Sequence, residues 1–359
     1  MPQTRLARAD SLQIGPEASK CKRFPLEIHV CHPSPGQYSQ AKNWVAMRQV
    51  PKFLKSRTEQ GWLSVAIREG RVDCVHLRRE PGRKPRVLLA DSVEKGADDA
   101  ATLTALKRSL HLDRYRCTAL LGHGSYQLIQ TDAVAGAPDE AREVVRWKLK
   151  DQVEFPVETA AIDLLPIPSD GRAAQVFAAL APESTMAPLV QAFQAAKVPL
   201  TAVDLPEISQ RNLAALFEEG GRGLATLIFD DDEGLLTFTL NGELLVARHV
   251  EIMARQLITA DAERRGMLFE RIALDVQRSL DNFDRNYSAI PLTRLLVAPI
   301  PGVDGFLSHL RANLAVAVVP LDLSSVLDLG AAPALLDPLR QFQCLRAIGA
   351  ALRDEPVAA

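Results

Sequence analysis

The chain has 359 residues, 47% apolar and 24% charged, a composition that excludes wholesale disorder, collagen and a disulfide-stapled scaffold. At roughly 150 residues per domain, that length holds about two domains. The 42 basic and 44 acidic residues give a formal charge of −2, which excludes nucleic-acid binding driven by bulk charge.

The charge is uneven along the chain. Residues 1–58 carry ten basic and three acidic side chains, net +7, which leaves −9 for the rest of the −2 total. This segment has no sustained periodicity and contains the turn-rich CHPSPGQYSQ, so it is expected to be a mostly disordered basic leader. Met47 lies just before the first convincing strand and offers an alternative translation start. Arg48, Lys52, Lys55 and Arg57, with Val50, Phe53 and Leu54, suit an anionic membrane surface at about 1 kcal/mol per basic residue. A solvated leader is the competing reading. Cys21, His29, Cys31 and His32 cluster here, but their spacing matches no common zinc pattern. The five cysteines form no CxxC pair, which fits reduced thiols in a cytoplasm. The longest apolar runs, AAQVFAALAP and ANLAVAVVPL, are half the roughly 20 residues a spanning helix needs, and no secretory signal is visible at the N-terminus.

From Gly61 the pattern is regular. GWLSVAI, RVDCVHLRR and KPRVLLADS form a meander of three strands separated by turn signals. DDAATLTALKRSLHL (98–112) reads as a helix opened by Asp98 and Asp99. YRCTALLG and SYQLIQTDA are strands around Gly122-His123-Gly124. His123 has no Ser or Cys nucleophile motif beside it and is read as a turn histidine. PDEAREVVRWKLKDQVEFP (138–156) is a helix with Pro138 near its start and Pro156 after its end. Strands AAIDLLPIP and AAQVFAALAP, helix ESTMAPLVQAFQAAK, strand VPLTAVDLP and helix EISQRNLAALFEEGG complete an α/β series.

The second half opens like the first. GLATLIFD, EGLLTFTLN and ELLVARHVEI make another three-strand meander, with an Asn241-Gly242 hairpin turn. A long helix over roughly 261–287 carries an apolar stripe of Leu268, Ile272, Val276, Leu280, Phe283 and Tyr287. Its other face, with Arg271, Arg278, Asp281 and Arg285, is solvated. TRLLVAPIP is a strand, GFLSHLRANL a helix, VAVVPLDL a strand, and PALLDPLRQFQCLRAIGAALR a closing helix.

A three-strand meander followed by alternating helices and strands, occurring twice, is the layout of the actin-like fold. Several segments in order then resemble PilM-type proteins of type IV pilus assembly. They are TALLGHGSYQLIQTDA with the following helix to Phe155-Pro156 and Asp163, FAALAPESTMAPLVQAFQAAKVPLTAVDLPEISQRNLAAL with Asp204 before its helix, and the ALDVQRSLDNFDRNY helix. Their wording is closer still to the MshI-like proteins of mannose-sensitive haemagglutinin (MSHA) pilus biogenesis. The resemblance covers roughly residues 60–353. It implies an α/β, actin-like (ribonuclease H-like) fold of two lobes, each a mixed sheet with flanking helices. The first lobe would span 59–218 with an inserted subdomain at about 117–182, and the second 219–355.

The nucleotide elements of that fold have drifted. A phosphate-binding hairpin needs backbone N–H groups around the anion and an Asp to place Mg²⁺ or water. The first hairpin here is Ala66-Ile67-Arg68-Glu69-Gly70-Arg71, with Ala66 where the family has Asp. Arg68 and Arg71 are expected to be long and exposed at a turn, forming screened pairs of about 1 kcal/mol or less. The second runs Phe229-Asp230-Asp231-Asp232-Glu233-Gly234, and four consecutive acids would repel a triphosphate. The third turn, expected as Gly-Gly, is Ala298-Pro299-Ile300-Pro301-Gly302, whose prolines donate no N–H.

The resemblance therefore implies a scaffold that has kept the fold and lost the chemistry. No catalytic residue, cofactor or metal is expected. Asp230, Asp231 or Asp232 as a Mg²⁺ ligand for weak ATP binding is the alternative, with the chain then an assembly switch. A GspL-like scaffold of type II secretion is a third reading. The partner implied is a PilN-like single-span inner-membrane protein together with other pilus-assembly components. The chain itself would be cytoplasmic and peripheral to the inner membrane, reaching it through that partner. In such proteins the partner's tail lies in a cleft beside the inserted subdomain, which Trp147, Leu149 and Phe155 would line. Ordinary core packing is the competing assignment for Trp147.

Overall fold

The computed structural model describes residues 59–168 and 173–353. The basic leader, Met47 and the Cys21/His29/Cys31/His32 cluster lie outside the described residues.

The first meander is β1 (Trp62–Ile67), β2 (Arg71–Arg78) and β3 (Arg86–Glu94), followed by α1 (Asp99–Leu110) and β4 (Arg116–Leu120). Asp98 caps α1, its carboxylate accepting from the Ala100 and Ala101 N–H groups. Then come β5 (Gln127–Asp132), α2 (Pro138–Lys148), β6 (Ala161–Ile167), β7 (Gln175–Ala181), α3 (Glu183–Ala196), β8 (Leu200–Asp204) and α4 (Pro206–Ala214). The second meander is β9 (Gly223–Phe229), β10 (Gly234–Leu240) and β11 (Glu243–Val250). It leads to α5 (Ala254–Thr259), α6 (Ala262–Asn286), β12 (Leu292–Val297), α7 (Phe306–Asn313), β13 (Ala317–Pro320) and α8 (Pro338–Ala351). The β10–β11 turn is made by Asn241 and Gly242, both at positive φ (53° and 78°), as a two-residue hairpin of this hand requires.

Two five-stranded sheets have the same order. One is β3-β2-β1-β4-β8 and the other β11-β10-β9-β12-β13, each with an antiparallel meander and two parallel strands. A third sheet, β5-β7-β6, is antiparallel and belongs to the insert. Because β4 pairs with β1, the insert starts after Leu120 and not at 117. Helix α2 also ends earlier than expected, at Lys148, and the chain turns through Leu149 to Phe155.

The outer face of the first sheet packs on α1 and α3 through Leu63, Val65, Cys74, Leu103, Leu106 and Phe193. The outer face of the second packs on α6 and α7 through Phe238, Ile272, Val276, Leu280, Phe283 and Leu310. Phe269 is buried on the α6 stripe, while Leu268 is only half-buried beside it. The residues expected on its solvated face, Arg271, Arg278, Asp281 and Arg285, are all exposed.

The inner faces exchange helices. α4 follows the first sheet but packs on β9, β10 and β11, and α8 follows the second sheet but packs on β1, β2 and β3. The closing helix therefore sits on the first lobe, although its sequence position falls within 219–355. The two helices cross between the lobes and touch there. A Cβ on Gly349 would lie 2.2 Å from the Ser209 carbonyl oxygen, so only glycine admits this approach. One apolar layer, with Leu77, Leu120, Leu213, Leu224, Leu296, Ile348 and Ala351, joins both lobes.

Candidate functional site: the interlobe cleft

Each lobe aims one hairpin tip at the other. In the first, the Arg68 N–H donates to the Arg71 carbonyl at 2.8 Å, leaving Glu69 and Gly70 at the tip, with Gly70 at φ 80°. In the second, the Asp230 N–H donates to the Glu233 carbonyl at 2.7 Å, leaving Asp231 and Asp232 at the tip.

The tips are joined by ion pairs. Arg68 Nη2 lies 2.7 Å from Asp230 Oδ2, with the two side chains 7% and 5% exposed. Arg71 Nη1 donates to Asp231, its Nη2 is 3.7 Å from Asp230 Oδ1, and its Nε is 3.0 Å from Asp73 Oδ1. Arg346, from α8, approaches Asp230 at 3.9 Å and Glu233 at 3.8 Å. This corrects two expectations. Arg68 and Arg71 are not exposed turn residues: Arg68 is buried and Arg71 largely so. The acidic run is not a bare negative cluster either, since arginines of the first lobe and of α8 neutralise it. The reason is tertiary, because the hairpins close on each other and exclude the water that would screen them.

A second cluster adjoins the first. Glu233 is 4% exposed, and its Oε2 faces His249 Nδ1 at 2.9 Å and His123 Nδ1 at 3.1 Å. His249 Nε2 faces Glu207 Oε1 at 3.1 Å, and the Tyr126 hydroxyl donates to Glu207 Oε2 at 2.5 Å. Burial opposes the Glu233 carboxylate, yet the contacts from His123 and His249 and the charge of Arg346 hold its pKa well below the carboxylate range. Contacts with Glu207 and Glu233 push the His249 pKa up to about 9. His123 does sit on the expected turn, but it reaches across to the second lobe. His123, Glu233 and His249 offer three metal-ligating atoms within 4.8 Å of one another.

Beneath these clusters, α4 is buried at all nine of its residues despite carrying Glu207, Gln210, Arg211 and Asn212. Gln210 Nε2 donates to the Thr226 carbonyl and to Thr237 Oγ1, and Gln210 Oε1 accepts from Arg346 Nη1 at 2.8 Å. Ser209 Oγ and Asn212 Nδ2 donate to α8 carbonyls, and Ser64 Oγ donates to the Ala347 carbonyl. Asp204, at the end of β8, pairs with Arg353 at 2.8 Å. The paired hairpins therefore rest on a hydrogen-bonded floor, which fixes them in register. Surface cavities of about 280 and 460 Å³ lie beside Arg86 and Asp328, and between the end of β3 and α1.

The remaining expected positions divide. Ala66 is buried in the interlobe apolar layer. Gly234 is buried against Phe229, where a Cβ would meet the ring at 2.6 Å, so packing explains this glycine. Pro299 and Gly302 are exposed in the β12–α7 turn. Of the partner-cleft residues, Leu149 is fully buried in the insert core and Phe155 is half-buried against it. Trp147 is not core: it is 53% exposed, Val144 of the same helix is 51% exposed, and Lys150 Nζ lies 5.5 Å from the Trp147 ring. The sequence reading missed Glu207, Tyr126, His249 and Arg346. For Glu207 and Arg346 the available signal was a charged residue set among apolar ones in a helix; Tyr126, before β5, and His249, on β11, carried no such signal.

No protein-family model and no curated protein matches the chain. Solved structures do. The PilM–PilN type IV pilus biogenesis complex is similar over 83% of this chain and 99% of that one, at 19% identity and a TM-score of 0.65. The cytoplasmic domain of EpsL, an inner-membrane component of the type II secretion system of Vibrio cholerae, is similar over 81% and 94%, at 14% identity and a TM-score of 0.45. A Bacteroides thetaiotaomicron protein with an actin-like ATPase fold is similar over 80% and 100%, at 13% identity and a TM-score of 0.45. With the repeated strand order, the first likeness establishes the actin-like two-lobe fold. Among the described residues no helix is long and apolar enough to cross a membrane.

Proposed function

We propose that this chain is a PilM-like scaffold of type IV pilus biogenesis, of the MSHA type, whose interlobe cleft is closed by its own charges and works without ATP. The observation that carries this reading is the pairing of the two hairpin tips, Arg68 with Asp230 and Arg71 with Asp231. In an active relative of this fold, a nucleotide phosphate chain bridges two such hairpins. Here protein side chains make the bridge. Admitting a triphosphate would require opening the Arg68–Asp230 pair. That would take Arg68 from Asp230 and leave the displaced carboxylate beside the incoming anion. Pro299 and Pro301 at the third turn offer no compensating donors.

As a scaffold at the cytoplasmic face of the inner membrane, the chain would bind the cytoplasmic tail of a PilN-like single-span protein. The exposed Trp147 and Val144 on α2 are its apolar contacts. Aromatic anchors of this kind dominate binding energy at interfaces.

Calorimetric titration with Mg-ATP tests the first part. No saturable heat is expected. Micromolar affinity that disappears in Asp231→Ala would overturn the reading and favour an ATP-driven assembly switch. Titration with a synthetic PilN-like tail tests the second part: Trp147→Ala is expected to weaken binding by about tenfold or more, equivalent to at least roughly 1.4 kcal/mol. Equal binding by wild type and variant would remove Trp147 from the interface.

A further inference from the structure

We infer that His123, Glu233 and His249 form a site for a divalent transition ion of the zinc class, clasping the insert entrance to the second lobe. The inference is independent of whether the cleft takes nucleotide.

The geometry begins with Glu207. Its carboxylate is fully buried and held by the Tyr126 hydroxyl, and its other oxygen faces His249 Nε2. An ionised carboxylate only accepts, so that contact keeps a hydrogen on Nε2, and a metal would bind at Nδ1 by displacing the proton that otherwise faces Glu233. A carboxylate bonded to the far nitrogen of an imidazole is the arrangement that orients histidine ligands in metal sites. His249 Nδ1 faces Glu233 Oε2 at 2.9 Å, and His123 Nδ1 converges on the same oxygen at 3.1 Å. Without an ion, N–H groups on the two rings satisfy Glu233 Oε2; with one, the three ligand atoms close on a single cation that takes the place of those protons.

The distances suit one. Zinc bonds of about 2.0–2.1 Å imply roughly 3.3 Å between ligand atoms at a tetrahedral centre. The two contacts to Glu233 are a few tenths of an ångström shorter than that, and all three atoms lie within 4.8 Å of one another. Two nitrogens and one oxygen select zinc, cobalt or nickel over magnesium and calcium, which favour all-oxygen sites. His123 and His249 are 45% and 38% exposed on their side chains, so a fourth position faces water. Glu233 is fixed from behind by Arg346, 3.8 Å from its Oε1. His123 belongs to the turn that opens the insert, Glu233 to the second hairpin and His249 to β11. An ion here would tether the insert to the second lobe.

The test uses the full chain, stripped by chelator and titrated with Co²⁺, then with Zn²⁺ against a chromophoric competitor. One ion per chain is expected, with visible ligand-field bands and no thiolate charge-transfer band. The absence of that band separates this site from Cys21 and Cys31. His123→Ala, which alters only a half-exposed turn residue, is expected to weaken binding by about 10–100-fold, and Glu207→Gln by about tenfold. Zinc should raise the melting temperature of the wild type but not of His123→Ala, each compared with its own metal-free form. A thiolate-type spectrum, unchanged affinity in His123→Ala, or no saturable binding by the wild type would overturn the inference and leave protons alone holding the cluster.

Discussion

The pair between Arg68 and Asp230 shows how far a residue's worth depends on its surroundings. Both side chains are buried, and without Arg68 the Asp230 carboxylate keeps only the longer contacts to Arg71 and Arg346, at 3.7 and 3.9 Å. Arg68→Ala is expected to destabilise the protein by up to about 3 kcal/mol, the low end for a broken buried pair, because Arg71 and Arg346 still face Asp230. Asp231 is 34% exposed, and Asp231→Ala should cost only about 1 kcal/mol or less. Urea denaturation of the two variants checks the order, and equal effects would mean the cleft is wet. His249 gives a pH signature in the metal-free protein. Its pKa rises from 6.5 to about 9 on folding, because Glu207 and Glu233 hold its charged form. That stabilisation is complete below about pH 6.5 and is lost as pH rises through about 9. Glu233, held below the carboxylate range, acts in the opposite direction: its contribution is present above about pH 4.5 and is lost as pH falls. The melting temperature in chelator should therefore decline toward pH 9, and His249→Gln should lack that decline.

At the scale of elements, two helices carry the sharpest contrasts. On α2, Leu149 at the C-cap is fully buried and Trp147 is half out of the structure, two residues apart. Leu149→Ala should cost about 2–5 kcal/mol by opening a cavity in the insert core. Trp147→Ala should change stability by no more than about 0.5 kcal/mol, as for surface sites. Thermal denaturation separates the two, and a large loss for Trp147 would mean that it packs. On α8, Gly349 meets the Ser209 backbone of α4. Gly349→Ala must push the helices apart and should cost about 3 kcal/mol, the upper end for overpacking. If urea melts of Gly349→Ala and wild type superimpose, the close crossing is not present in solution.

At the scale of the molecule, the lobes are joined twice, by the crossed helices with their shared apolar layer and by the paired hairpins. These joints should fail separately. In Arg68→Ala/Arg71→Ala, amide exchange at both hairpin tips should accelerate while that of α4 and α8 stays slow, since local openings need not pass through global unfolding. Uniform acceleration across both helices would show that the hairpin pairs hold the whole interlobe core.

The repeated fold was legible because its signals are local. Short apolar runs bounded by turn residues mark both meanders, Asn241-Gly242 marks one hairpin, and Asp98 marks a helix start. The sign of the site was not legible. Arg68 and Arg71 read as exposed because a hairpin tip is exposed within its own lobe, and the partner of Arg71, Asp231, lies 160 residues away. Trp147 stayed open between partner cleft and core because a helix pattern alone does not say which stripe meets the sheet. Glu207 and Arg346 passed as ordinary helix residues until α4 and α8 crossed between the sheets. Local periodicity is written by neighbours in the chain, so the sequence alone determined the elements and their order. Burial, charge pairing and the meeting of His123 with His249 are set by contacts between lobes distant in the chain, so only the tertiary structure decided them.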